Sequence, residues 1–322
     1  MKRLALAAWA VLSLGMARAE PAYQYNQDAI ARDFLWLEFQ DIPASARPKV
    51  GVALSGGGAR GFAHVGVMEV LTENGFPVDC LAGTSMGAVV GSFYASGVPF
   101  SQLWKIGQNA SFSLVSKDFN SLGLLSLLFA DKLLSSEKME NFINDNIGRR
   151  TFEELRIPFA CTAMDIKTGE RILFTEGPLA VAVRSSMNLP GIFKPVHYRH
   201  RLLVDGGVAD NIPVGAARQL CGEWVLASVS SGDYGATELN NVVSYLLQTM
   251  DIRGEKLAAK ALADSNFIID SNVRGINFAD LSKSYEAGII GREAAYRRVG
   301  AAKESLILFS LDSIMEKYDK DR

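Results

Sequence analysis

The sequence predicts an α/β fold in which a mainly parallel central sheet is flanked by helices, and three observations carry that prediction. Short apolar runs alternate with stretches of helical periodicity from Lys49 onward. Two of these runs, residues 49–54 and 78–82, feed straight into glycine-rich turns that open helices. Strand–helix–strand–helix order with short connections implies parallel pairing and right-handed crossovers. It also brings both glycine turns to the same edge of the sheet, where open α/β folds bind ligands.

A chain of 322 residues with 48% hydrophobic content can bury a large core, as one domain or at most two. No internal repeat or low-complexity linker divides it, which favours a single domain. The formal charge of −2 argues against a general nucleic-acid binder, which carries a strong basic excess. Three cysteines, Cys80, Cys161 and Cys221, cannot all pair. Cys80 and Cys161 sit in apolar runs and read as buried free thiols. None has a second Cys or a His at zinc-ligand spacing, so no metal is expected.

Taken in order, residues 1–19 read as a cleavable signal peptide. Lys2 and Arg3 supply the positive start, residues 4–16 a mostly apolar run, and Ala17-Arg18-Ala19 the small residues at the cut. That run is shorter than the roughly 20 apolar residues of a membrane span, and no cysteine follows the cut to carry a lipid anchor. The expected product is exported, periplasmic or secreted, and otherwise soluble. Residues 20–48 form a lead-in whose cluster Phe34, Trp36 and Phe39 suggests a short helix. Residues 49–322 are expected to form the catalytic domain.

Within that domain, residues 49–54 read as a buried strand entering Ser55-Gly56-Gly57-Gly58-Ala59-Arg60-Gly61. The helix that follows carries Val65, Val67, Met68 and Leu71 and ends at Asn74-Gly75 as a left-handed cap. A second strand, 78–82, delivers Gly83-Thr84-Ser85-Met86-Gly87. Residues 100–150 are expected to be largely helical, with a leucine-rich run at 122–134 that reads as core or as a substrate- or membrane-facing flap. Further strands are expected at 159–164, 171–175, 201–204, 224–228 and 267–270. Helices are expected at 179–187, 214–220, 241–263 and 278–304.

Gly-x-Ser-x-Gly after a strand describes a sharp elbow, in which Gly83 and Gly87 clear space around the turn. Ser85 is then exposed at the sheet edge and at a helix N-terminus, whose free N–H groups favour developing negative charge. The plainer alternative is a turn whose serine merely caps a helix. The run from Gly56 to Gly61 also satisfies a dinucleotide fingerprint, with Asp79 at the spacing of a ribose-binding acid. That reading leaves Ser85 and Asp205 without roles. Alternatively, the glycine run turns its N–H groups toward the oxyanion of a tetrahedral intermediate or toward a phosphate. A serine nucleophile needs a base, and the chain offers His64, His197 and His200. The order Ser85, Asp165, His197 is formally a triad. Asp205, at a strand end before Gly206-Gly207, is the competing base, since a carboxylate in a partly dry place can take the serine proton directly.

The blocks Ser55–Gly61, Gly83–Gly87 and Asp205-Gly206-Gly207 resemble, in order, the signature blocks of the patatin-like phospholipase family. The run from Ser185-Ser186 to Pro190-Gly191-Ile192-Phe193 is similar to the block that family carries before its aspartate. The resemblance runs from about residue 49 to 300. It implies a three-layer patatin-like fold, with Ser85 as nucleophile and Asp205 as its sole partner. Gly56, Gly57, Gly58, Arg60 and Gly61 would form the oxyanion block, and the Met86 N–H a further donor. It further implies hydrolysis of lipid acyl esters without metal or cofactor, a lipid or phospholipid substrate, and transient contact with a membrane surface. In keeping with this, Asp118-Phe119-Asn120 begins like a calcium loop, but Phe129 stands where its glutamate belongs.

Overall fold

The computed structural model describes residues 21–113, 135–233 and 242–319. The expected signal segment 1–19, the leucine-rich run 122–134 and the stretch that Asp118 begins lie outside them. The backbone divides into two compact units, Val50–Arg297 on one hand and Met1–Lys49 with Arg298–Arg322 on the other. The first helix, α1 (Pro21–Gln40), belongs to the smaller unit and is longer than the aromatic cluster alone suggests.

The larger unit opens with β1 (Val50–Leu54), whose glycine turn passes through a single 3-10 turn, Gly58–Phe62, into α2 (Ala63–Glu73). Gly75, at φ 63°, ends that helix in the left-handed conformation. β2 (Cys80–Gly83) then leads to α3 (Met86–Ala95), α4 (Phe100–Ser113) and α5 (Glu137–Ile147). β3 (Phe159–Asp165) turns back into β4 (Arg171–Phe174), and α6 (Leu179–Ser186) follows. A hairpin of β5 (Val196–Tyr198) and β6 (Arg201–Asp205) precedes α7 (Val214–Leu220), β7 (Trp224–Val229), α8 (Val242–Ala263) and β8 (Phe267–Asp270). The long α9 (Ser284–Phe309) begins in this unit.

The strands form one sheet in the order β5-β6-β3-β2-β1-β7-β8, with β4 pairing β3. The pairs among β3, β2, β1, β7 and β8 are parallel, and β4, β5 and β6 add antiparallel pairs at one side. The central strands are buried on both faces, as their unbroken apolar runs require. Ala53, Ala82, Ala160 and Ala227 share one face, and α7 and Ala258 of α8 close on them. The other face carries α3. A Cβ at its Gly91 would stand 2.8 Å from the Phe159 ring, so that close helix–sheet approach depends on glycine. The result is helix, sheet, helix in three layers, as expected.

Two expectations need correction. Cys80 is not a free thiol: it is bonded to Cys221, 141 residues away, with Cα atoms 6.0 Å apart. The crossing of α7 over the starts of β1 and β2 sets the helix-capping Cys221 beside the first residue of β2, a proximity with no trace in local sequence. Cys161 is the buried free thiol it was expected to be. The strand expected at 201–204 is also not preceded by plain loop, because β5 pairs with it as a hairpin with Arg199 at φ 53° in the turn.

In the smaller unit, α1 buries Leu35, Trp36 and Phe39, and Lys303 of α9 sits 5.2 Å over the Trp36 ring. After a break at Ser310 the chain adds α10 (Leu311–Asp319), whose Lys317 pairs with Glu38 at 2.9 Å and Asp41 at 3.4 Å. Among the described residues no helix is long and apolar enough to cross a membrane.

Candidate active site

The site begins where β2 reverses into α3. Ser85 holds φ 53° and ψ −121°, a region that non-glycine residues adopt only when their surroundings force them. The forcing is visible on both sides. A Cβ on Gly87 would lie 2.3 Å from the Leu54 carbonyl oxygen, and one on Gly83 would lie 2.4 Å from the Gly87 oxygen. Both glycines are therefore required by backbone crowding. The strained turn is also tied down, since the Ser85 N–H donates to the Ser186 hydroxyl at 2.9 Å. Thr84 bonds the Thr162 hydroxyl at 2.7 Å and the Asp210 carbonyl at 2.9 Å.

Asp205 reaches this elbow through the sheet register. β4 occupies one edge of β3, so β2 and β6 must share the other. β2 runs along its first half, placing Gly83 opposite Cys161. β6 runs antiparallel along its second half, placing Asp205 opposite Ala163. The two carboxyl ends therefore meet head to head across Thr162. The Ser85 hydroxyl donates to Asp205 Oδ2 at 2.8 Å, and the Gly207 N–H donates to Oδ1 at 2.7 Å. Gly206 permits the approach, as a Cβ there would meet Thr162 at 2.4 Å. The Asp205 N–H bonds the Asn188 carbonyl, and the Asn188 side chain is fixed by Ser136 and the Lys194 carbonyl.

Ser85 is 7% exposed and Asp205 2%. Burial pushes the Asp205 carboxyl up to about 6, and the Gly207 and Ser85 donors pull it down by less. A carboxylate poised there is ionised at neutral pH yet basic enough to accept a hydroxyl proton.

Gly56 and Gly57 line the same cleft, of about 370 Å³, with Ser85, Asp205, Asn211 and Asp251. The Gly56 N–H is used by the Asn211 carbonyl, whereas those of Gly57 and Gly58 have no acceptor among the described residues. The Met86 N–H, at the start of α3, is equally uncommitted there. Gly58, at φ 55°, passes tight against Phe278, and Gly61 lets the turn close on Met86. Arg60 departs from expectation. Its buried guanidinium does not itself line the cleft but pairs at 2.5 Å with Asp251 of α8, which does. Sequence reasoning passed over Ser186, Asn188, Asn211 and Asp251. Only the block around Ser185-Ser186 hinted at the first, without a role.

The competing constellations do not assemble. His64 is fully buried, bonds the Ser228 hydroxyl and the Ser55 carbonyl, and is depressed to about 4 by burial, so it is neutral and structural, and it does not reach Ser85 among the described hydrogen bonds. Asp165 caps its own hairpin at the Lys167 N–H and lies 3.6 Å from Arg201, while His197 is exposed on β5. Asp79 accepts from the Val50 N–H at 2.7 Å, at the opposite end of the sheet from the glycine turn, so it cannot serve a ligand there. Among the described residues no three His, Cys, Asp or Glu side chains are grouped to hold a metal.

The family model described as Patatin-like phospholipase matches residues 52–218, which include the glycine turn, Ser85 and Asp205. An uncharacterised NTE family protein of Mycobacterium tuberculosis is 36% identical over 177 residues, covering 54% of this chain and 46% of that protein. A patatin-like phospholipase domain-containing protein of Caenorhabditis elegans is 36% identical over 199 residues, covering 61% of this chain and 14% of its own length. The chain thus spans about half, or less, of the curated relatives it matches. Among solved structures, VipD from Legionella pneumophila overlays with a TM-score of 0.48 at 14% identity, covering 78% of this chain and 66% of that one. With more than half of its length matched by that family model, the chain belongs to the patatin-like phospholipase family.

Proposed function

We propose that this protein is an exported serine hydrolase that cleaves acyl esters of phospholipids or related lipids through the pair Ser85 and Asp205. The single observation that carries the reading is the 2.8 Å hydrogen bond from a hydroxyl on a strained elbow to a buried carboxylate. Ser85 Oγ attacks the ester carbonyl carbon as Asp205 Oδ2 takes its proton. The carbonyl oxygen becomes an oxyanion, and the N–H groups of Gly57, Gly58 and Met86 are the donors available to it. Collapse breaks the ester C–O bond, and Asp205 returns the proton to the departing alcohol. Water then attacks the acyl-serine with Asp205 as base, releasing the fatty acid and restoring the Ser85 hydroxyl. The chemistry asks for no cofactor or metal.

Export rests on the basic start, apolar run and small-residue cut of residues 1–19. The Cys80–Cys221 disulfide supports it, because such bonds persist in oxidising compartments. Periplasmic or secreted residence puts the protein next to lipid surfaces, which it would touch transiently. Mass spectrometry of the mature protein is expected to find Glu20 at the N-terminus.

The deciding experiment uses Ser85→Ala. It is expected to lose fluorophosphonate labelling and to drop ester turnover by roughly 10⁴-fold or more. Full turnover in that variant refutes the mechanism. Asp205→Asn is expected to be similarly inactive and His197→Ala active, and the opposite pattern restores the histidine triad.

A further inference from the structure

We propose that Ser230, the residue after β7, is a positioning residue for this hydrolase, turning the Gly56–Gly57 peptide so that the Gly57 N–H faces the cleft. The inference rests on the hydrolase reading of Ser85 given above. Ser230 lies outside the residues 52–218 that the family model matches and belongs to neither glycine turn. The sheet brings it in. β7 pairs beside β1 with Ser228 opposite Leu54, so the residues just past the two strands lie side by side. Glycine at 57 makes room for it, since a Cβ there would overlap the Ser230 hydroxyl.

Among the described residues every peptide is trans, and a trans unit points its C=O and its N–H in opposite directions. The Gly56 carbonyl and the Gly57 N–H belong to one such unit. Ser230 Oγ donates to that carbonyl at 3.0 Å, and Ser55 Oγ donates to it at 2.9 Å. Both serines are buried and neither lines the cleft, whereas Gly56 and Gly57 do. Drawing the C=O into the protein therefore sends the N–H out toward the cleft, where no described residue accepts it. One donor would satisfy the carbonyl, while two fix its direction and polarise the amide into a stronger donor. The hydroxyls are fixed in turn. The Ser230 N–H donates to Ser55 Oγ at 3.1 Å, and His64 Nε2 lies 2.9 Å from the Ser55 carbonyl. A carbonyl only accepts, so Nε2 carries the ring proton and Nδ1 accepts from Ser228 Oγ at 2.8 Å. Each hydroxyl proton in the set thus has one assigned acceptor, and two of them converge on the Gly56 oxygen.

The test compares p-nitrophenyl butyrate with its thionoester, in which sulfur replaces the carbonyl oxygen, in the wild type, Ser230→Ala and Ser230→Cys. Sulfur accepts hydrogen bonds weakly, so the thionoester gains little from a well-aimed N–H. The ratio of kcat/KM for the two substrates cancels any loss of folded enzyme. Both variants are expected to lower the ester-to-thionoester ratio about tenfold, through kcat for the ester, with KM within about twofold of wild type. Cysteine fills the space of the serine but donates weakly. A role in packing alone therefore leaves the ratio of Ser230→Cys at the wild-type value. That result, or an unchanged ratio in Ser230→Ala, overturns the proposal while leaving the Ser85 mechanism intact. No turnover of either substrate by the wild type refutes the hydrolase reading and this proposal with it.

Discussion

Asp205 keeps its proton to a higher pH than an exposed aspartate because the fold removes water from it and returns only two donors. As the base it must be ionised, so kcat/KM is expected to fall as pH drops through about 6. A rate profile flat down to pH 4.5 would contradict that assignment. The same shift bears on stability. Between its ordinary value of 3.8 and about 6, the folded chain binds this proton and the unfolded chain does not, so stability falls as pH rises across that window. His64 works in the opposite sense. Its folded value of about 4 lies below the ordinary 6.5, so its contribution is complete above 6.5 and is lost as pH falls toward 4. The two slopes offset each other in the wild type, and single variants separate them. Relative to wild type, Asp205→Asn is expected to be more stable at pH 7 by up to about 3 kcal/mol, an advantage that shrinks toward pH 4. Melting curves across that range check it.

At the scale of elements, the elbow and the glycine turn obey local rules that a reader of the sequence can apply. Gly83, Gly87 and Ser85 sit in a pentad whose crowding follows from the strand-to-helix reversal, and the structure shows that crowding in ångströms. Gly87→Ala must push against the Leu54 and Ser55 carbonyls, so a loss of about 3 kcal/mol is expected, with displacement of Ser85. Gly148→Ala makes the control. Gly148 has φ 77° but open space around it, so its cost is about 1 kcal/mol. Similar losses in chemical denaturation of both variants would mean that crowding does not shape the elbow. Arg60 shows the limit of block-by-block reading. It belongs to the glycine motif in sequence, yet its partner Asp251, a cleft residue of α8, comes 191 residues later.

For the whole molecule, the disulfide is the feature that composition misjudged. Three cysteines leave one unpaired, but which two meet depends on α7 crossing the sheet. Cys221→Ser is expected to lower stability by about 2–5 kcal/mol, since the bond closes a long loop in the unfolded chain. Cys80 starts β2 and Ser85 follows its end, so ester turnover of the folded variant is expected to persist. Loss of turnover in a variant that melts like wild type would place the disulfide in the mechanism instead.

Sequence alone determined the strand-and-helix alternation, both glycine turns and the sharp elbow at Ser85, because each is a local demand of backbone geometry or of periodic burial. It also marked Asp205 as a strand-end acid, but left it in competition with a histidine. Tertiary structure sets Asp205, and no histidine, at the Ser85 hydroxyl, because β2 and β6 share one edge of β3 and end face to face, a pairing no local pattern encodes. Long-range register likewise decided that His64 is a buried strut and that Cys80 meets Cys221.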